Sequence, residues 1–248
     1  NRIIMVKFII FCSKAIIVTA ASLLLTSCNW TVDLGDSITG SGNIVKETRK
    51  LDTFTKVDVK SGINCIIKQA DNFEVLVEAD DNVIKEIKTR VENGTLIIES
   101  DFGNYHNATR KVTVTMPKID NLETSSGATL KSLNVLTGTN ISLKSSSGSE
   151  MDVNVESDTV SLETSSGSEQ NVKGKALTVF ASSSSGSSID ADELLANDIS
   201  AQSSSGSSID VHSIVNLNGK ASSGSSINYK GNPKQVTKEE TSGGSVSR

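Results

Sequence analysis

Five carboxylate or amide side chains recur at one fixed place in a repeated sequence pattern. Each stands four residues after a glycine, and they are Asp152, Asn171, Asp190, Asp210 and Asn228. Stacked repeats would place neighbouring members about 5 Å apart on the solvent side, where two carboxylates repel by about 1 kcal/mol. Such a column suits Ca²⁺ or a hydrogen-bonded sugar. The simpler interpretation is a solvated face whose Asx side chains bond their own turns.

The residue types that most often act in catalysis form no pattern. His106 and His212 have no motif around them, and Cys65 lies in an aliphatic run, where we predict a small, buried hydrophobe. β-Helices that cleave polysaccharides gather carboxylates and basic side chains in one groove, whereas the acidic column here supplies one residue per repeat. We therefore predict a non-catalytic protein with no cofactor and no assigned metal site.

A Ser-Ser-Gly repeat determines the elements that would position these residues. Its last copy is the degenerate Thr241-Ser242-Gly243, and its glycines are Gly127, Gly148, Gly167, Gly186, Gly206, Gly224 and Gly243. A period near twenty residues indicates stacked repeats. Residues seven, five and three positions before each glycine share one strand face and taper from aliphatic to Ser or Thr. No repeat can bury this face alone, so we predict an all-β, right-handed parallel β-helix with about 19–20 residues per coil.

The serines are expected to stabilise the narrow end of each coil. An inward hydroxyl can bond the hydroxyl of the coil above and below, because each donates and accepts. The glycine is expected to allow the tight bend, since it lacks a Cβ.

A secretory signal precedes the repeats. The basic start is followed by an apolar run, residues 15–25, which is too short for a membrane span. Leu25-Thr26-Ser27-Cys28 resembles the lipobox of bacterial lipoproteins, which implies cleavage before Cys28 and acyl chains on that residue. A plain signal peptide is the alternative. The predicted organisation is a signal peptide at 1–27, a lipid-anchored tether at 28–42, a less regular β region with insertions at 43–120, and the repeat β-helix with a C-terminal cap at 121–248.

The region between residues 43 and 120 alternates like strands but carries other signals as well. Asn93-Gly94 predicts a hairpin turn, and residues 80–88 predict one short helix capped by Asp80 or Asp81. Ser41-Gly42 and Ser61-Gly62 are twenty residues apart, which indicates that the solenoid begins here with long insertions.

A family resemblance follows from these motifs. Lys60-Ser61-Gly62-Ile63-Asn64, then a β segment and serial Ser-Ser-Gly coils, resembles the head GIN domain family over about residues 53–246, and Gly62-Ile63-Asn64 is the namesake tripeptide. The resemblance implies a secreted or lipid-anchored β-helical protein of the kind labelled auto-transporter adhesin. It implies no catalytic residues.

These features predict a cell-envelope lipoprotein that acts as an adhesin-like scaffold for a glycan or protein. A lipid or small apolar ligand is the alternative, and a polysaccharide-active enzyme is a third. The formal charge of −5 argues against nucleic acid. We expect export across the inner membrane, anchoring through Cys28, most simply at the outer membrane, and a homodimer through whichever solenoid end is less covered.

Overall fold

The Ser-Ser-Gly repeats wind into a β-solenoid. The computed structural model describes residues 37–101 and 104–248, and this part of the chain contains strands and turns but no helix. The strands of the repeat region are β10 (Asn121–Thr124), β11 (Thr129–Ser132), β12 (Leu136–Ser145), β13 (Glu150–Thr164), β14 (Glu169–Ser183), β15 (Ser188–Ser203), β16 (Ser208–Ala221), β17 (Ser226–Lys230), β18 (Gln235–Glu240) and β19 (Ser245–Ser247). Each pairs in parallel with the strand one coil away.

Less regular strands precede the repeats. They are β1 (Ile38–Thr39), β2 (Ile44–Arg49), β3 (Lys56–Val59), β4 (Asn64–Gln69), β5 (Glu74–Asp80), β6 (Ile87–Glu92), β7 (Thr95–Ser100), β8 (Tyr105–His106) and β9 (Arg110–Met116). β3 and β4 join the parallel stack through β10 and β11. β6 pairs antiparallel with β7 across the predicted Asn93-Gly94 hairpin turn, which is confirmed, and β2, β5 and β9 form a second antiparallel group.

Every repeat turn uses the left-handed backbone region twice. In Ser204-Ser205-Gly206, Ser205 has φ 55° and Gly206 has φ 70°. The N–H of Ser207 closes this turn on the carbonyl oxygen of Ser204 at 3.3 Å. The N–H of each turn glycine donates to the backbone carbonyl oxygen of the serine that precedes the glycine in the turn of the next coil, at N···O distances of 2.9–3.2 Å. The donors are Gly62, Gly127, Gly148, Gly167, Gly186, Gly206 and Gly224. These bonds align the glycines in one file along the solenoid, which confirms the predicted stacking of the repeats. The Gly62 turn belongs to the same file.

The inward positions form one continuous core. It runs from Phe54 to Val246 and includes strands from both the N-terminal region and the repeats, so Ser37–Arg248 forms one compact unit. Where the core narrows, hydroxyls bond one another: Thr164 Oγ1 donates to Ser183 Oγ at 2.9 Å across coils, and Ser187 Oγ donates to Thr164 Oγ1 at 3.0 Å. The predicted hydroxyl ladder is confirmed in part, because other inward serines donate to a carbonyl oxygen of the preceding coil instead, as Ser207 Oγ does to Ser183 at 2.8 Å. Each net bond contributes about 1 kcal/mol, whereas a buried hydroxyl left unpaired would cost more.

The long strands bend at a corner where the alternation of inward and outward side chains is interrupted; this interruption is the change of parity. In β13, Val155 and Ser157 face inward, and the next inward residue is Val160, so two consecutive side chains point outward. The return of each coil is therefore continuous strand. The outward side chains on the two sides of this corner belong to different faces of the solenoid.

The short helix predicted at residues 80–88 is wrong. Residues 81–86 form turns between β5 and β6, although the apolar side chains of the stretch are buried as expected. The Asp80 carboxylate is buried, with Oδ1 accepting the N–H of Gly42 at 2.6 Å and Oδ2 accepting the N–H of Thr109 at 2.7 Å. Because this carboxylate is held by two neighbouring segments, it is not available to cap a helix.

The predicted tether ends in ordered structure. Residues 28–36, with Cys28 and the predicted signal peptide 1–27, lie outside the described residues. Ile38 and Thr39 form β1, which pairs with β8, and Gly42 bonds Asp80. Residues 37–42 thus belong to the folded unit. Contrary to the expectation that the solenoid begins here, Ser41-Gly42 does not join the file of stacked glycines. The reason is that the N–H of Ser41 donates to Asn82 Oδ1 at 3.1 Å and the N–H of Gly42 donates to Asp80 Oδ1.

Charged side chains close the C-terminal end of the core. Lys238 and Glu240 lie in register with Gly219 and Ala221, which are inward positions of the preceding coil. Lys238 Nζ donates to the carbonyl oxygen of Val246 at 2.7 Å, and Glu240 Oε1 accepts the Val246 N–H at 2.6 Å. Inward charges on a terminal strand discourage edge-to-edge pairing. The last Ser-Gly segment is therefore a full coil with its own cap.

Candidate functional site

The predicted Asp/Asn column lies in register on one outer face. Asp152 pairs with Asn171, and the series continues through Asp190 and Asp210 to Asn228. All five side chains are exposed or half-buried and alternate with buried neighbours. The Asn228 amide donates to Asp210 Oδ1 at 2.8 Å, whereas Asp190 accepts a backbone N–H of its own turn at 3.3 Å. The column is therefore a solvated row of donors and acceptors in which Asp190 and Asp210 are the adjacent carboxylates.

Basic side chains partly neutralise this face. Lys131 Nζ lies 3.8 Å from Asp152, and Lys230 Nζ lies 2.5 Å from Asp192. The hydrogen bond to Asp192 raises the pKa of Lys230. Residues 37–101 and 104–248 contain no group of three or more His, Cys, Asp or Glu side chains placed to hold a metal. The column therefore presents hydrogen-bonding side chains to solvent.

A second face carries an exposed aromatic ring that the sequence reading did not identify. Phe180 is 51% exposed, and Ser161, Ser200 and Asn218 follow it in register on neighbouring coils. Two shallow depressions of about 280 and 250 Å³ share Phe180 as their common wall. We call this surface the Phe180 shelf, and it consists of Phe180, Ser161, Thr178, Ser200, Gln202 and Asn218.

Two of the three acidic side chains around the shelf are paired with lysines. Glu163 lies 2.9 Å from Lys144, and this hydrogen bond raises the pKa of Lys144. Glu239 lies 2.9 Å from Lys220. Asp198 lines one of the depressions and accepts the Asn216 amide at 2.6 Å, a neutral donor that does not cancel the carboxylate charge. The shelf therefore presents hydroxyl, amide and aromatic groups together with one carboxylate.

An apolar groove lies at the corner where the strands change parity. Leu177, Leu195 and Ile214 are exposed on successive coils and line an open groove of about 520 Å³. Glu156, Asp158 and Lys175 also line it. We call this the Leu177 groove. In the sequence, each of these three residues is an aliphatic residue at an outward position. Only the folded structure shows that the three line one groove.

The other reactive residues lie apart from these surfaces. Cys65 is buried and unpaired in the core, where burial raises the pKa of its thiol, as the prediction of a structural hydrophobe requires. His212 is half-buried with Nδ1 3.3 Å from the carbonyl oxygen of Asp192, and His106 lies in β8. Neither histidine lies in a nucleophile–base arrangement within the described part of the chain.

The Gly62-Ile63-Asn64 tripeptide has a structural role. Gly62 has φ 63°, and the Arg110 guanidinium lies 3.2 Å from the place that a Cβ would occupy. Arg110 Nη1 donates to the carbonyl oxygen of Ser61 at 2.8 Å and the guanidinium stacks on Tyr105, while desolvation lowers the pKa of Arg110. Ile63 is fully buried. The motif thus begins the stacked turns.

The fold and surfaces define a class of protein, a β-solenoid scaffold with ligand-accessible outer faces. The chain belongs to the family described as "Putative auto-transporter adhesin, head GIN domain", whose model matches residues 53–233. The resemblance read from the tripeptide and the repeats is therefore confirmed.

Solved structures share the fold at low sequence identity. A "putative adhesin" from Bacteroides fragilis is 20% identical with a TM-score of 0.78, covering 85% of this chain and 99% of its own. A "putative adhesin" from Parabacteroides merdae is 16% identical with a TM-score of 0.68, covering 86% and 99%. A "Putative lipid binding protein" from Parabacteroides distasonis is 19% identical with a TM-score of 0.67, covering 86% and 99%.

A comparison with curated proteins finds no significant match. In the described residues, no helix has the length and hydropathy needed to cross a membrane. The family supports an adhesin-like protein of the cell envelope or cell surface.

Proposed function

We propose that this protein is a lipid-anchored, non-catalytic binding protein of the cell envelope that holds a glycan or protein partner on its outer solenoid faces. One observation carries the proposal: outward side chains of the same kind repeat in register on successive coils, as in the Asp/Asn column. A rigid stacked surface of this kind favours an extended partner, because the ordering cost is met during folding. Family membership supports the adhesin-like role, and the Cys28 lipobox supports anchoring, which we expect at the outer membrane.

Binding arrays test this function directly. The purified protein is applied to immobilised glycans and to immobilised extracellular-matrix and bacterial surface proteins. We expect saturable binding to at least one of these classes, and no release of reducing ends from any polysaccharide it binds. Absence of binding to both classes would refute the proposal, and release of reducing ends would refute its non-catalytic part.

The Leu177 groove supports a second candidate function, the binding of a small apolar ligand. Its three aliphatic side chains line about 520 Å³ of open space, and one protein with this fold is described as a "Putative lipid binding protein". A fluorescent fatty acid serves as the probe. Leu177→Asp is expected to abolish its binding, whereas Leu133→Asp, at an exposed leucine outside the groove, is the matched control and is expected to leave binding unchanged.

A further inference from the structure

We propose that the Phe180 shelf binds an uncharged glycan, with the apolar face of one sugar ring stacked on Phe180 and the flanking sugars lying in the two adjacent depressions. This inference rests on the proposed binding function and deepens it by naming one surface and one ligand class.

The position of Phe180 is the first support. Its neighbours Val179 and Ala181 face the core, so the ring stands on the outward row, where the residues in register are Ser161 and Ser200. The ring contributes little to the core at 51% exposure. An aromatic face carries a negative quadrupole, which attracts the polarised C–H groups on the flat side of a pyranose ring.

The surroundings of the ring are the second support. Ser200 borders both depressions, Thr178 and Asn218 border one, and Ser161 and Gln202 border the other. Their hydroxyl and amide groups both donate and accept hydrogen bonds, as sugar hydroxyls do. Because Phe180 lines both depressions, sugars next to the one stacked on the ring can reach these polar groups.

The charges decide between ligand classes. Glu163 and Glu239 are paired with lysines, whereas the Asp198 carboxylate lines one depression and accepts a hydrogen bond from the neutral Asn216 amide, which does not cancel its charge. The surface therefore disfavours an anionic ligand and offers an acceptor to sugar hydroxyls. A protein partner would be expected to need a larger desolvated apolar cluster, since protein hot spots are buried groups of anchors. A single ring within hydroxyl and amide rows fits a neutral glycan instead.

Titration calorimetry tests the inference with neutral cello-, xylo-, laminari-, malto- and chito-hexaoses, and with oligogalacturonate as the charged control. We expect the wild type to bind at least one neutral hexasaccharide with an affinity insensitive to salt. Phe180→Ala should weaken this binding at least tenfold, and Phe180→Trp should retain it. Leu133→Ala is the matched control, because Leu133 is an exposed aliphatic side chain that lines neither depression nor the Leu177 groove, and it should leave affinity unchanged.

Several results would overturn the assignment. They are a Phe180→Ala variant with wild-type affinity, a loss of affinity in Leu133→Ala, binding of oligogalacturonate alone, or no binding of any neutral hexasaccharide. If the wild type binds arrayed proteins or other glycans in these cases, the proposed binding function stands and this surface assignment falls. If the wild type binds nothing on the arrays, both fail. Thermal melting confirms that each variant is folded, since both side chains point outward.

Discussion

Gly174 and Gly206 are expected to differ sharply in their tolerance of a side chain. Both have positive φ, 119° for Gly174 and 70° for Gly206. A Cβ on Gly206 would meet nothing within 4 Å, whereas a Cβ on Gly174 would lie 2.0 Å from the carbonyl oxygen of Val155. The repeat pattern in the sequence singles out Gly206, but the structure shows that Gly174 is the glycine whose surroundings leave no room for a Cβ.

The expected magnitudes follow from these two environments. Gly206→Ala incurs only the left-handed backbone cost, about 1–2 kcal/mol, less a gain of about 0.4–1 kcal/mol from the less flexible unfolded chain. Gly174→Ala adds a backbone clash in a strand paired on both sides, and we expect a loss of about 3 kcal/mol or more. At about 2–4 °C per kcal/mol for a unit of this size, Tm should fall by a few degrees for Gly206→Ala and by roughly 10 °C for Gly174→Ala.

Circular dichroism melting and urea unfolding of both variants measure this difference. Similar urea m-values are required for comparing the midpoints, because repeat proteins can lose cooperativity. Ser205→Gly serves as a further control, since it relieves a left-handed serine with φ 55° and should not destabilise the fold. Equal losses in the two alanine variants, or a greater loss in Gly206→Ala, would refute the reasoning from the Val155 contact.

Three other predictions concern the end cap, the core and the anchor. Lys238→Val combined with Glu240→Val should cause concentration-dependent self-association in light scattering, because it removes the inward charges from the terminal strand and so permits the end-to-end dimer. Gln170→Met should change the free energy of unfolding by no more than about 1 kcal/mol in urea, since it removes a buried, unpartnered Oε1 together with the hydrogen bonds that Nε2 donates to Ser145 Oγ and to the carbonyl oxygen of Glu163. Cys28→Ala should abolish incorporation of labelled palmitate in cells and move the protein to the aqueous phase of a detergent extraction.

Matched variants separate these predictions from general effects. Lys220→Val with Glu239→Val removes an outward ion pair and should leave the C-terminal end unassociated, whereas association of the unsubstituted protein through that end would contradict the capping role. Gln202→Met tests the same exchange on the surface and should be neutral, and a loss of about 2 kcal/mol or more in Gln170→Met would oppose the proposed balance between the unpartnered Oε1 and the two Nε2 hydrogen bonds. Cys65→Ala should remain palmitoylated; continued labelling of Cys28→Ala would rule out the lipobox.

Much of the fold could be predicted because the repeat encodes it locally. The twenty-residue period, the alternation of inward residues and the serine taper all follow from the backbone hydrogen bonds that stack equivalent positions. The left-handed conformation of Ser205 was not expected, because the requirement for two such residues comes from closing the turn while pairing with the next coil. The helix at residues 80–88 was wrong because Asp80 is satisfied by Gly42 and Thr109, which are distant in sequence.

The candidate surfaces depended on tertiary structure to a greater degree. Sequence alone determined the coil, the inward face and the Asp/Asn column, since each depends on spacing within one repeat. Only the stacked structure placed Phe180 between Ser161 and Ser200, and Lys238 over the end of the core. These relations join residues about one coil apart, and the parity change at each corner decides which outward side chains share a face.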